Sequence, residues 1–190
     1  MNAYALLSRM GLRELLRRLY GIEIAGADRI PCHGPAILVA NHESIWDPFV
    51  LGVATTREIH YLAKAELFRW PPLAAAMRSL NAFPIERGGG DRAAMSEAVR
   101  RLRRGELLGI FPQGTSRAEL QNGWRRGAAR LALATGAPLV PVRLAGTAPL
   151  PRPTRIRIAV GEPIAVPVSR PTIASASALT ARLERAVASA

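Results

Sequence analysis

The chain has 190 residues, 49% of them hydrophobic, a formal net charge of +12 and one cysteine, Cys32. That length suits one domain with a full core, and a lone cysteine excludes an intrachain disulfide and fits a reduced, cytoplasmic setting. No run approaches the ~20 apolar residues of a membrane span or the apolar region of an export signal, and the positive charge, with Lys64 the only lysine among 26 basic residues, favours anionic partners such as nucleic acid, phospholipid surfaces or phosphorylated substrates.

In the stretch Leu6 to Tyr20, Leu12, Leu15, Leu16, Leu19 and Tyr20 recur at helical spacing with Arg9, Arg13, Arg17 and Arg18 between them. This predicts an amphipathic helix that either packs on the core or lies in the headgroup boundary of an anionic membrane. Ala36 to Ala40 is a short apolar run between Gly34-Pro35 and Asn41, and reads as a buried strand. Phe49 to Ala54 reads as a helix, Ile59 to Leu62 as a strand, and Ala65 to Leu80 as helical material interrupted at Pro71-Pro72. Phe83-Pro84-Ile85 is extended and leads into the glycines 88–90.

Asp91 suits the N-cap of a helix running to about Arg104 and stopped by Gly105. A strand from Leu107 to Phe111 follows, then a polar loop from Pro112 to Gly123, a helix from Trp124 to Thr135 closed by Gly136, and the apolar run Leu139 to Val142. Arg155 to Val160 alternates basic and apolar residues like a half-exposed strand. Leu179, Leu183 and Val187, spaced by four, predict a C-terminal helix. Alternating strands and helices predict an α/β fold with a largely parallel sheet flanked by helices. The expected organisation is a single domain over residues 1–190, with an amphipathic N-terminal helix within 1–24, a core at 36–165 and a terminal helix at 170–190.

The residues with chemical capacity stand where strands end. His42 and Asp47, in Asn41-His42-Glu43-Ser44-Ile45-Trp46-Asp47, can meet if the chain turns into a helix between them. A carboxylate on one ring nitrogen leaves the other free to accept a proton. Asp47 also stands directly before Pro48, the pattern of an N-cap followed by a proline at the first helical position, and His42 then serves only the loop backbone. Phe111-Pro112-Gln113-Gly114-Thr115-Ser116-Arg117 places a glycine, hydroxyls and an arginine in one loop, and Phe83 to Arg87 brings another arginine to a strand end. Such groups can hold a phosphate or form solvated turns. No zinc spacing or RNA-binding signature is found and aromatics are 5%, which argues against nucleic acid.

In these blocks the chain resembles the glycerolipid acyltransferase family, over about Ile37 to Thr147. The stretch 41–47 is similar to the family's first block, and the resemblance implies that His42 and Asp47 are catalytic. Ala63-Lys64-Ala65-Glu66-Leu67-Phe68 with Phe83 to Arg87 is similar to the second region, which implies that Lys64 and Arg87 hold the acceptor's phosphate. Phe111 to Thr115 resembles the third block and Ala137 to Val142 the fourth, which implies substrate-binding roles for Gln113, Gly114, Thr115 and Arg117. Two departures stand out: Gln113 occupies a place usually held by glutamate, and Ser116 one usually held by arginine, with Arg117 a position later. Glutamine keeps the carbonyl acceptor and loses the charge.

The resemblance implies acyl transfer from a thioester, acyl-CoA or acyl carrier protein, to a lysophospholipid such as 1-acylglycerol-3-phosphate. It implies no metal and no cofactor, with peripheral attachment to the anionic inner face of the cell membrane. The alternatives are another acceptor, such as a lyso-ornithine lipid, and a non-catalytic module that binds anionic membrane.

Overall fold

The computed structural model describes residues 12–85, 92–113, 123–148 and 155–190. Along the chain these form α1 (Leu12–Leu19), β1 (Glu23–Ala25), β2 (Ala36–Ala40), α2 (Asp47–Val53), β3 (Ile59–Lys64), α3 (Pro71–Ser79) and β4 (Phe83–Ile85). Then come α4 (Arg92–Arg103), β5 (Leu107–Ile110), α5 (Gly127–Thr135), β6 (Leu139–Ala145), β7 (Arg157–Val160) and α6 (Ile173–Ser189). Short 3-10 turns occupy Ala27–Arg29 and Ala65–Phe68.

The described strands make one seven-stranded sheet in the order β1-β7-β6-β2-β5-β3-β4. β2 lies between β5 and β6 and pairs with both in parallel, and β3 pairs in parallel with β5 and β4. The expected α/β architecture with a largely parallel sheet is therefore present. The exception is β7, antiparallel to β6 and parallel to β1. β1 carries no sequence signal of its own: it has three residues, and its flanking positions are exposed.

All five residues of β2 are buried, because alternate side chains enter two different cores. Ala36, Leu38 and Ala40 join Val50, Leu51 and Val53 of α2 on one face. Ile37 and Val39 join Ala98 and Leu102 of α4, Leu131 and Ala132 of α5, and Leu183 of α6 on the other. Each leucine, isoleucine or valine among them, fully buried, contributes roughly 1.5–3 kcal/mol.

Two expected boundaries shift for physical reasons. Pro71 and Pro72 open α3 instead of interrupting a longer helix, since a proline in the first turn loses no hydrogen bond and its fixed φ suits the helix. α5 begins at Gly127 and not at Trp124; the Arg125 N–H is engaged by Pro112 O at 3.0 Å. Asp91 lies outside the described residues. The glycine stops hold: Gly105 and Gly136 have φ of 80° and 73°, the left-handed geometry that ends a helix. α6 is opened by a reciprocal capping box in which Thr172 and Ser175 each accept the other's backbone N–H at 3.0 Å.

At the opposite end of the sheet from the strands' C-termini, His60 in β3 sits among charges. Arg101 donates to its Nδ1 at 2.8 Å, and Glu106 faces its Nε2 at 3.2 Å. A guanidinium can only donate, so Nδ1 is the unprotonated nitrogen. Burial first, and then Arg101, hold the His60 pKa below its ordinary 6.5, against the opposing pull of Glu106, Glu58 and a hydrogen bond with the Asn81 backbone. The folded protein thus binds fewer protons than the unfolded chain once the pH falls below that ordinary value. Stability is full above pH 6.5 and declines as the pH is lowered toward the folded-state pKa. Urea midpoints measured from neutral to mildly acidic pH should fall accordingly, and His60→Gln should flatten that part of the curve.

Candidate active site

β2 and β5 are adjacent and parallel, yet the chain leaves β2 toward one face, through α2, and β5 toward the other, through α5. Loops that diverge in this way leave a crevice at the C-terminal ends of the strands, where α/β folds bind ligands. The loop after β2 carries His42 and the segment after β5 carries Phe111 and Gln113.

Asn41 fixes where the first loop starts. Its side-chain amide donates to Leu144 O at 2.8 Å and its carbonyl accepts from Leu144 N at 2.7 Å, tying the end of β2 to β6. Asp47, fully buried, turns its carboxylate back into the loop. Oδ2 accepts from His42 Nδ1 at 2.6 Å, from Glu43 N at 2.6 Å and from Ser44 N at 2.8 Å. The N-cap reading of Asp47 is therefore corrected: Trp46 is the N-cap, without a side-chain hydrogen bond, and Asp47 is the first helical residue. With the ring proton on Nδ1 facing a carboxylate, Nε2 keeps its lone pair. The imidazole remains 19% exposed and so reachable.

Aromatic rings brace that imidazole from β5 and β3. Phe111 stacks on His42 with centroids 4.6 Å apart and planes at 29°, and Tyr61 stacks on Phe111 at 6.2 Å and 10°. The Tyr61 hydroxyl donates to Pro48 O at 2.8 Å, anchoring the first turn of α2 beside Asp47. Tyr61 is paired in register with Gly109; a Cβ on Gly109 would lie 2.5 Å from the Tyr61 ring. Neither Tyr61 nor Phe111 has a role on sequence grounds, since their contacts cross strands far apart in the chain. The only available signal was a glycine inside a buried strand.

Gln113 accepts the His42 backbone N–H on Oε1 at 2.6 Å. The task of the side chain is thus to accept a hydrogen bond, which an amide carbonyl and a carboxylate both do. Gln113→Glu should leave catalytic turnover within a few-fold of the parent, whereas Gln113→Ala, which frees that N–H, should lower it about tenfold; steady-state rates on the purified variants check this. Lys64 closes β3 at the same end of the sheet. Arg87, Gly114, Thr115 and Arg117 lie outside the described residues. Among the described residues no three His, Cys, Asp or Glu side chains group as metal ligands would.

The family model described as Acyltransferase matches residues 21–145, which includes β2, the His42 loop, β5 and Gln113. The chain belongs to the acyltransferase family. This acyltransferase is 29% identical over 157 residues to the 1-acyl-sn-glycerol-3-phosphate acyltransferase of Bacillus subtilis, covering 80% of this chain and 78% of that one. A protein of the same name from Borreliella burgdorferi is 31% identical over 134 residues, 68% of this chain and 54% of that one. The crystal structure of the 1-acyl-sn-glycerophosphate (LPA) acyltransferase from Thermotoga maritima superimposes with a TM-score of 0.67 and 22% identity, over 96% of this chain and 79% of that one. The last likeness establishes the shared fold. Among the described residues of the acyltransferase, no helix is long and apolar enough to cross a membrane.

Proposed function

We propose that this acyltransferase moves an acyl group from a thioester, on coenzyme A or acyl carrier protein, to the free hydroxyl of 1-acylglycerol-3-phosphate, giving phosphatidic acid. The observation that carries the reading is the 2.6 Å contact of His42 Nδ1 with the buried Asp47 carboxylate, at the C-terminal end of β2 beside β5. The names of the Bacillus and Borreliella relatives support the choice of acceptor.

In this mechanism Nε2 of His42 takes the hydroxyl proton as the acceptor oxygen attacks the thioester carbonyl carbon. The carbon–sulfur bond then breaks, and the proton passes to the departing thiolate. Asp47 keeps the imidazole in the required tautomer and supports its positive charge. Lys64, Arg87, Gly114, Thr115 and Arg117 hold the acceptor phosphate, with Gln113 ordering the loop between the two groups. Holding both substrates in one crevice supplies much of the rate. Neither metal nor cofactor takes part; the acyl thioester is a co-substrate. The protein works peripherally at the inner face of the cell membrane, where its acceptor resides.

The test is an acceptor comparison with a radiolabelled acyl thioester. Lysophosphatidate should be the preferred acceptor over lyso-ornithine lipid and other phosphate-free lysolipids. Arg87→Ala should raise KM at least tenfold for the phosphate-bearing acceptor alone. Equal use of phosphate-free acceptors, or an equal rise in their KM, sinks the assignment of the acceptor.

A further inference from the structure

The parallel ladder between β2 and β6 ends with Ala40 opposite Val142. In such a ladder every second residue of a strand gives its N–H to one residue of the neighbour and accepts on its carbonyl from the residue two further on. Ile37 opens it by donating to Pro138 O at 3.0 Å. Extended past Ala40 in the same register, the ladder would place Leu144 N–H on the main-chain carbonyl of Asn41 and Glu43 N–H on Leu144 O. The Asn41 side chain takes both places. Its Oδ1 accepts from Leu144 N at 2.7 Å and its Nδ2 donates to Leu144 O at 2.8 Å. A carboxamide offers the same acceptor and donor as the peptide groups it replaces.

This exchange lets the chain leave the sheet without stranding polar groups. Leu144 is fully buried, and one side chain partners both its N–H and its carbonyl. Glu43 N–H is therefore available to Asp47 Oδ2, which it reaches at 2.6 Å, beside Ser44 N at 2.8 Å and His42 Nδ1 at 2.6 Å. On the side of β5, the His42 N–H meets Gln113 Oε1 at 2.6 Å. Two carboxamides thus sling the main chain that carries His42 between β6 and the segment after β5. A short side chain at position 41 would leave the Leu144 N–H and carbonyl unpartnered in the core. In ladder register the groups that satisfy them are the carbonyl of residue 41 and the Glu43 N–H. The loop would then be drawn back toward the sheet, and Asp47 would lose a donor.

We propose that Asn41 is a positioning residue for acyl transfer: by standing in for the backbone on β6, its side chain assigns the Glu43 N–H to Asp47 and so fixes the carboxylate that orients His42. The inference rests on His42 as the proton acceptor proposed above. A spectroscopic readout tests the placement of the pair whether or not transfer is seen.

The test compares purified full-length variants. Asn41→Ala should lower kcat about a hundredfold, with KM for both substrates within about threefold of the parent. Val140→Ala, which opens a cavity earlier on β6 at another fully buried residue, should lose stability and keep kcat within about threefold. Asn41→Asp keeps the size and the acceptor and lacks the donor; it should lose kcat at least about tenfold, and it decides the matter if Asn41→Ala does not fold. In protein with isotope-labelled histidine, the His42 Nδ1 proton is assigned by its absence from His42→Ala. It should resonate far downfield in the parent, as a proton in a short bond to a carboxylate does, and should shift upfield or vanish in the Asn41 variants. Parental kcat in either Asn41 variant, a loss confined to KM, an equal loss of kcat in Val140→Ala, or an unmoved His42 resonance would overturn the proposal. Near-parental turnover of His42→Ala would remove the proton-acceptor reading instead, and the resonance would still decide whether Asn41 places the imidazole.

Discussion

His42→Ala should lower kcat/KM for acyl transfer by about a thousandfold, within the 10²–10⁴ that a positioned general base contributes. The substitution deletes the nitrogen proposed to take the hydroxyl proton and leaves the fold in place. Asp47 Oδ2 keeps its hydrogen bonds from Glu43 N and Ser44 N, and Asn41 still ties the loop to β6. Circular dichroism and the urea midpoint should therefore stay close to the parent while turnover collapses. Asp47→Asn should also reduce turnover, and it should lower stability as well, because one carboxylate oxygen serves three donors and an amide oxygen lacks its charge. Near-parental turnover of purified His42→Ala would exclude proton removal by this residue.

The second large effect is expected well away from any reacting atom. A Cβ added at Gly109 falls 2.5 and 2.7 Å from Tyr61 ring carbons and 2.8 Å from Ile59 Cγ2. Both neighbours are buried residues in the part of β3 that pairs with β5, so neither can simply swing into solvent. Gly109→Ala should destabilise the protein by about 1–3 kcal/mol, the usual result of overpacking a dense core. It should also lower kcat/KM roughly tenfold or more, since displacing Tyr61 displaces Phe111 and with it the face on which His42 rests. Adding Tyr61→Leu to Gly109→Ala relieves the closest clash. The double variant should recover part of the lost stability without recovering turnover, because Phe111 has lost its support. Parental kcat/KM in Gly109→Ala would show that the stack does not position His42.

The parts of this structure that sequence reveals are those whose causes are local. β2 and β6 announce themselves as apolar runs because helices or loops bury both of their faces. α4 and α5 end where Gly105 and Gly136 take a left-handed conformation that other residues resist. The meeting of His42 and Asp47 is legible too, since a turn into α2 spans only five residues. What escapes is set by distant partners. β1 exists because Glu23 to Ala25 find β7 more than a hundred residues away. The role of Gln113 depends on a backbone N–H 71 residues earlier. The direction in which Asp47 turns is decided by the loop it accepts from, so proximity to Pro48 alone misassigns it as an N-cap.

The hydrogen bonding of the His42 loop divides the labour of the proposed reaction. The backbone N–H groups of His42, Glu43, Ser44, Trp46 and Asp47 all donate inside the protein, to Gln113, to Asp47 twice, to the Ser44 hydroxyl and to the Ser44 carbonyl. None of these five is left to receive the negative charge that gathers on the thioester oxygen as the carbonyl carbon becomes tetrahedral. Donors for that charge therefore have to come from outside these five groups. Freeing one of the five disturbs the placement of the proton acceptor, whereas the oxyanion donors are to be tested by substitutions at other positions.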